Sequence, residues 1–225
     1  MTHTLLPGEP VAGPWHVEDL AAVVDRLVPS HSPAERRWIL AVDGRSGSGK
    51  TSVATRLAEQ ISDTTVLHTD DLSWHDSLFD WHGLLIDEIL EPFTRGKAVS
   101  CRPPAWDERG REGSIEVPVT TRVLVVEGVG AGRRELCDWA DQLIWVQSDA
   151  DQAQHRGIER DADAHGDDAE AFWHAWKAAE IPFLLEQRPW CRADLLVCGT
   201  PQVPHDPATQ LVTAMVPASG DIPRP

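Results

Sequence analysis

The eight residues Gly44-Arg-Ser-Gly-Ser-Gly-Lys50-Thr51 constrain this chain more than any other part of it. They fit the pattern GxxxxGK[ST]. They lie between an apolar run, Trp38-Ile-Leu-Ala-Val42, and a helix-compatible stretch from Lys50 to about Ile61. Glycines let the backbone turn tightly enough for successive N–H groups to point at one centre. A helix opening near Lys50 adds its positive N-terminal end. Lys50 can reach β- and γ-phosphates, and the Thr51 hydroxyl is an oxygen ligand of the kind Mg²⁺ takes beside phosphates and water. A chance match in a chain of 225 residues has a probability of about 1%. Gly44, Ser46, Gly47, Ser48, Gly49, Lys50, Thr51 and Ser52 are therefore expected to hold the phosphates of ATP with Mg²⁺. No GxGxxG occurs, so a dinucleotide site is not supported.

Four further apolar runs read as buried strands: Thr65–His68, Arg122–Glu127, Leu143–Val146 and Leu195–Cys198. Helical spacing separates most of them, which implies a parallel sheet with helices on both faces, a three-layer α/β P-loop fold. Residues 1–14, rich in Pro and Gly, read as a loose arm, and 16–28 as an amphipathic helix ended by Pro29 and Pro33. Residues 97–120 read as a hairpin or excursion, and 149–188 as helix. Asp206-Pro207 is expected to start a short helix through Val216, with the last residues disordered.

In open α/β sheets, ligands bind at the C-terminal ends of the strands. Asp70 and Asp71 follow the second strand there, and Glu127 ends the third. A carboxylate at Asp70 can take a proton from an attacking hydroxyl or hold a water on Mg²⁺; Asp71 is a weaker candidate. The alternative for both is helix capping. Glu127 stands where an acidic residue acts near Mg²⁺, so Thr51, Glu127 and Asp70 form the expected metal set. Arg156 and Arg160, four apart, share one helix face in the polar stretch after the fourth strand. They suit a lid, about 149–166, that closes over a γ-phosphate. Arg102, Arg109 and Arg111 are either contacts for the acceptor or solvated loop charges, and Trp74 and Trp106 either line the pocket or pack.

A net charge of −16 repels phosphate backbones and argues against nucleic acid as a main partner. No stretch approaches the ~20 apolar residues of a membrane span. The N-terminus lacks a basic start followed by an apolar run, and the four cysteines show no CxxC spacing. Those features fit a cytoplasmic chain with reduced thiols. The ten scattered histidines read as surface or packing residues. Oligomeric state is open, a homo-oligomer included.

Six segments occur together: AVDGRSGSGKTS (41–52), VLHTDDLSW (66–74), RPPAWDERG (102–110), VLVVEGVGA (123–131), QHRGIERD (154–161) and ADLLVCGTP (193–201). In this order they resemble the uridine kinase-like group of P-loop kinases, near the phosphoribulokinase and pantothenate kinase branch. The resemblance implies a kinase domain over 36–201, flanked by an N-terminal arm and helix (1–35) and a C-terminal extension (202–225). It implies five parallel strands in the order 2-3-1-4-5. It implies Asp70 as catalytic base with Lys50, Arg156 and Arg160 around the transferring phosphoryl group. Gly199-Thr200-Pro201 resembles the loop packed on adenine. Nucleoside-phosphorylating members tend to carry Tyr-Asp before the tryptophan of the third segment; here those positions are Pro104-Ala105. Two functions fit: an ATP-dependent kinase for a small hydroxyl compound, nucleosides among the candidates, or a regulatory nucleotide-binding protein or slow ATPase with a degenerate acceptor site.

Overall fold

The computed structural model describes residues 4–28, 36–75, 77–165 and 168–216. The elements begin with β1 (His16–Asp19), α1 (Leu20–Leu27), β2 (Trp38–Asp43), α2 (Lys50–Gln60), β3 (Thr64–His68) and α3 (Thr69–Ser73). A helical run follows, made of α4 (His82–Leu85), a π turn (Ile86–Leu90) and α5 (Glu91–Thr94). The π turn lies just before Pro92, whose ring has no N–H to give the preceding turn. Then come β4 (Val99–Cys101), α6 (Pro104–Glu108), β5 (Ile115–Val117), β6 (Val123–Glu127) and β7 (Gln142–Gln147). The chain continues with α7 (Ala150–His165), α8 (Ala169–Gln187), β8 (Leu195–Cys198) and β9 (Gln210–Ala214).

The main sheet has seven strands rather than the expected five, in the order β1-β9-β8-β7-β2-β6-β3. The five apolar runs are adjacent and parallel: β2 pairs with β6 and β7, β3 with β6, and β8 with β7. Two antiparallel strands widen one edge, β9 on β8 and β1 on β9. Both added strands correct the sequence reading. Residues 16–19 were expected at the start of a helix, but His16–Asp19 pair with Thr213–Gln210 and the helix begins only at Leu20. Residues after Asp206 were expected to be helical. Instead the Asp206 carboxylate accepts from Ala208 N (3.0 Å) and Thr209 Oγ1 (2.8 Å), which closes a turn. The alternating, β-branched Leu211-Val212-Thr213 that follows suits a pleated edge better than a helix. Pro29, Pro33 and the last residues, from 217 onward, lie outside the described residues.

Period-two alternation divides the sheet between two cores. Leu40, Val42, Val123, Val125, Ile144, Val146, Leu195 and Val197 face α1 and α2, meeting Leu20, Val23, Leu27, Val53, Ala54 and Leu57. Ile39, Ala41, Leu124, Val126, Leu143, Trp145 and Leu196 face the other way, toward Leu85, Ile89, Leu90, Phe93, Leu184 and Trp190. Trp145 and Trp190 are fully buried and meet edge to face at 5.3 Å. Residues 97–120 form the expected excursion, an antiparallel β4–β5 hairpin with α6 between its strands. The register sets Val42 opposite Glu127 and Glu127 opposite His68, so the C-terminal ends of β2, β6 and β3 finish in one row.

Candidate functional site

The phosphate loop springs from the central strand. Asp43 ends β2 with no exposed surface and takes three backbone N–H groups: Gly44 (2.7 Å), Gly130 (3.1 Å) and Gly132 (2.9 Å). Burial pushes its carboxyl up to about 6 against the pull of those three donors and of Lys50. Asp43 thereby ties the start of the loop to the segment after β6. Ser48 N donates to Arg45 O (3.0 Å), which closes the turn. Gly47 has φ +72°, and a Cβ there would sit 2.0 Å from Ala153 O on α7, so both backbone and space require glycine. Among the described residues the N–H groups of Gly47 and Gly49 find no backbone acceptor, and the buried Lys50 ammonium has no hydrogen-bonded protein partner. Free N–H groups beside a free ammonium at the start of α2 make a cradle for phosphate oxygens.

Not all of the loop faces that cradle. Ser46 N donates to Glu180 Oε1 (2.6 Å) and Ser46 Oγ accepts from Trp176 Nε1 (2.7 Å), so α8 occupies both polar groups of Ser46. Ser48 Oγ is buried without a partner, and Ser52 lies exposed in the first turn of α2.

Beside the loop, Glu127 is buried and divided between two neighbours. Oε1 accepts from Thr51 Oγ1 (3.0 Å), and Oε2 lies 2.6 Å from His68 Nδ1. Burial pushes the Glu127 carboxyl up, but His68, Lys50 and Thr51 outweigh it and hold it below its ordinary range. The same bond to Glu127 raises the His68 imidazole above its ordinary value, against its partial burial. Asp70 follows in the first turn of α3, exposed, its carboxylate free of hydrogen bonds among the described residues. No cluster of three or more His, Cys, Asp or Glu side chains suited to a metal occurs among the described residues. The Thr51 hydroxyl with Glu127 and the exposed Asp70 instead fits Mg²⁺, which binds through one or two carboxylates plus phosphates and waters.

The arginines come from α7. Arg156 Nη1 donates to Gly199 O (2.9 Å) and lies 3.9 Å from where a Cβ on Gly49 would be. Arg160 Nε donates to Asp161 Oδ1 (2.7 Å), the bond that does most to hold its guanidinium above its ordinary value, with Asp70 and Glu127 adding weaker fields. Gly199 lies against the loop so closely that a Cβ would fall 2.0 Å from Ser48 O. The Thr200 hydroxyl accepts from Asp149 N (3.1 Å), bracing the start of α7.

No family model matches the chain. It is 27% identical over 151 residues to a uridine kinase of Halobacterium salinarum, covering 59% of this chain and 66% of the relative. It is 29% identical over 148 residues to a uridine kinase of Macrococcus caseolyticus, covering 57% and 70%. The chain thus spans about two thirds of the length of the curated relatives it matches. Among solved structures, a candidate fructose transport system kinase from a Silicibacter species superposes with TM-score 0.51 at 22% identity, over 75% of this chain and 94% of that one. That likeness concerns the fold. The chain is similar in sequence to uridine kinases.

Beside the phosphate loop the excursion docks onto α3. Trp106 Nε1 donates to Asp71 O (2.9 Å), and Arg111 Nη2 donates to Asp71 Oδ1 (2.6 Å). The Arg111 guanidinium lies over Trp106 at 3.6 Å and near Trp74 at 5.1 Å. Asp71 therefore serves as an anchor, and Trp74, Trp106 and Arg111 come together beside Asp70. Arg102 is turned to Asp107 and to the Arg111 and Gly113 carbonyls. Pro104 and Ala105 open α6, with Ala105 buried.

Three residues of this candidate site were not read as such in the sequence. His68 was placed among surface or packing histidines, although it directly precedes the acidic pair at a strand end, which was a usable signal. Asp43 was passed over although it adjoins Gly44. Glu180 had no signal, since it lies 134 residues from the amide it binds.

Proposed function

We propose that this chain is an ATP-dependent kinase that transfers a γ-phosphoryl group to a hydroxyl of a small acceptor, with a nucleoside the first class to test. One observation supports the reading most: Asp70 is exposed, free of hydrogen bonds among the described residues, and near enough to the Thr51–Glu127–His68 cluster for its charge to act on His68. A site that only bound nucleotide would not need a free carboxylate on the acceptor side of the loop. The uridine kinase names of both relatives point the same way.

In this reading residues 44–51 wrap the phosphates, and Lys50 lies against the β- and γ-oxygens. Mg²⁺, when bound, neutralises charge on those oxygens; Thr51 and Glu127 would hold it or its water, with Asp70 alongside. Asp70 orients the acceptor hydroxyl and takes its proton as the new O–P bond forms and the bond from the γ-phosphorus to the β–γ bridging oxygen breaks, leaving ADP. Arg156 and Arg160, on a lid that includes α7, approach the transferring group and exclude water. Gly199 to Pro201 lie under the base. The acceptor rests against Trp74, Trp106 and Arg111. Pro104 and Ala105 offer no side-chain hydroxyl or carboxylate to a sugar or base, which favours an acceptor gripped by other groups.

The test is a panel of nucleosides, nucleotides, sugars and vitamins, each scored for acceptor-stimulated ADP release. Stimulation by any acceptor, lost in Asp70→Asn, supports the kinase. Slow hydrolysis that no acceptor changes would favour the regulatory alternative, for which the Pro104-Ala105 departure is the supporting feature.

A further inference from the structure

The segment before β1 was expected to be a loose arm, yet it carries a fully buried acidic side chain that reaches the phosphate loop. Glu9 has no exposed side-chain surface, and each of its oxygens accepts twice. Oε2 takes Arg45 Nη2 (2.6 Å) and Leu6 N (3.0 Å); Oε1 takes Trp145 Nε1 (2.8 Å) and Gln147 Nε2 (3.1 Å). Gln147 also holds the arm by donating to Pro10 O and accepting from Ala12 N. Trp190 Nε1 donates to Gly8 O (3.0 Å).

Arg45 is the second residue of the phosphate loop, and its side chain is only 7% exposed. Its carbonyl receives Ser48 N, the bond that closes the turn. A buried guanidinium held by a buried carboxylate has few other places to go, because moving either strands a charge without water. Glu9 thus fixes Arg45, and Arg45 fixes the turn from which Gly47, Gly49 and Lys50 face the phosphates. The arm also grips the base of α7: Thr4 N donates to Asp149 Oδ2 (2.8 Å), and Ala150 N donates to Thr4 O (3.0 Å). Arg156 and Arg160 project from that helix.

We propose that Glu9 is a positioning residue of the nucleotide site: through Arg45 it sets the phosphate loop in its binding shape, and the arm that carries it aligns α7 with the loop. This rests on residues 44–51 binding the phosphates of ATP. Acting through another residue, Glu9 should alter ligand affinity as well as stability.

The test measures ATP·Mg²⁺ affinity and thermal midpoint on full-length protein for the unmodified chain, Glu9→Gln, Arg45→Lys and the double variant Glu9→Gln/Arg45→Gln. Glu9→Gln keeps an oxygen for Trp145 and Gln147 but removes the charge facing Arg45. Arg45→Lys keeps both charges but not the reach. Each single variant should raise the Kd of the folded protein about ten-fold, equal to about 1.4 kcal/mol. The double variant replaces the ion pair with an amide pair and should recover most of that loss. Lowered midpoints with Kd within about two-fold in both single variants would make the arm merely structural and overturn the proposal. Should Glu9→Gln fail to fold, Arg45→Lys decides by the same criterion. An unmodified chain that binds no ATP would refute the phosphate-loop reading itself, whereas normal binding with unaffected variants refutes only the role of Glu9.

Discussion

Replacing Asp70 by Asn separates an enzyme from a nucleotide-binding module, and the structure supplies a magnitude for each outcome. Asp70 is not the N-cap of α3; that position belongs to His68, which makes no side-chain capping bond. Nor does the Asp70 carboxylate accept a hydrogen bond among the described residues. Its structural worth is then limited to the field at the start of a five-residue helix, about 0.3–1 kcal/mol. For a chain of this size that moves the thermal midpoint by roughly 2–4 °C at most. Relief of repulsion among Asp70, Asp71 and Glu127 offsets part of it. If Asp70 instead orients and deprotonates the acceptor, turnover should fall by ~10²–10⁴-fold. That is about 2.7–5.4 kcal/mol of barrier, several times the structural term. ATP affinity should stay level or rise, since a carboxylate near a triphosphate repels it. One preparation suffices: a melting curve, an ATP titration, and coupled detection of ADP with the acceptor the panel identifies. Turnover within three-fold of the unmodified enzyme, with a lowered midpoint, would refute the catalytic role.

Three further outcomes are expected. Lys50→Ala should weaken ATP binding and abolish transfer, while near-normal affinity and turnover would show that the phosphates bind elsewhere. Gly199→Ala sets a Cβ 2.0 Å from Ser48 O, an overpacking of about 1–3 kcal/mol, so the midpoint should drop and ATP affinity fall as the loop is displaced; no change in either would mean the contact is not as close as described. His68 has a raised folded-state value, so the stability it adds is full below its ordinary pKa of 6.5 and is lost as pH rises through the higher folded value. Melting curves from pH 6 to about 8.5 should accordingly fall more steeply for the unmodified protein than for His68→Gln, and parallel curves would contradict the Glu127 pairing.

The sequence by itself determined the parts whose chemistry is local. GxxxxGK[ST] after an apolar strand specifies a phosphate cradle because tight turns, free N–H groups and a helix start all follow from neighbouring residues. The mostly apolar runs announced the five parallel strands, and the strand-end positions of Asp70 and Glu127 were legible because each ends or follows such a run. The tertiary structure decided what depends on distant partners. His16–Asp19 and Gln210–Ala214 have weak or misleading local patterns; β9 is a strand because the edge of β8 offers unpaired N–H and C=O groups, and β1 because β9 then offers its own. Glu9 and Glu180 lie 36 and 134 residues from the loop atoms they hold, so no local spacing could reveal them. The Pro- and Gly-rich composition of residues 1–14 suggested a loose arm because composition records backbone freedom in isolation. It cannot record the buried Arg45, Trp145 and Gln147 groups that require an acceptor and draw the arm down onto the loop.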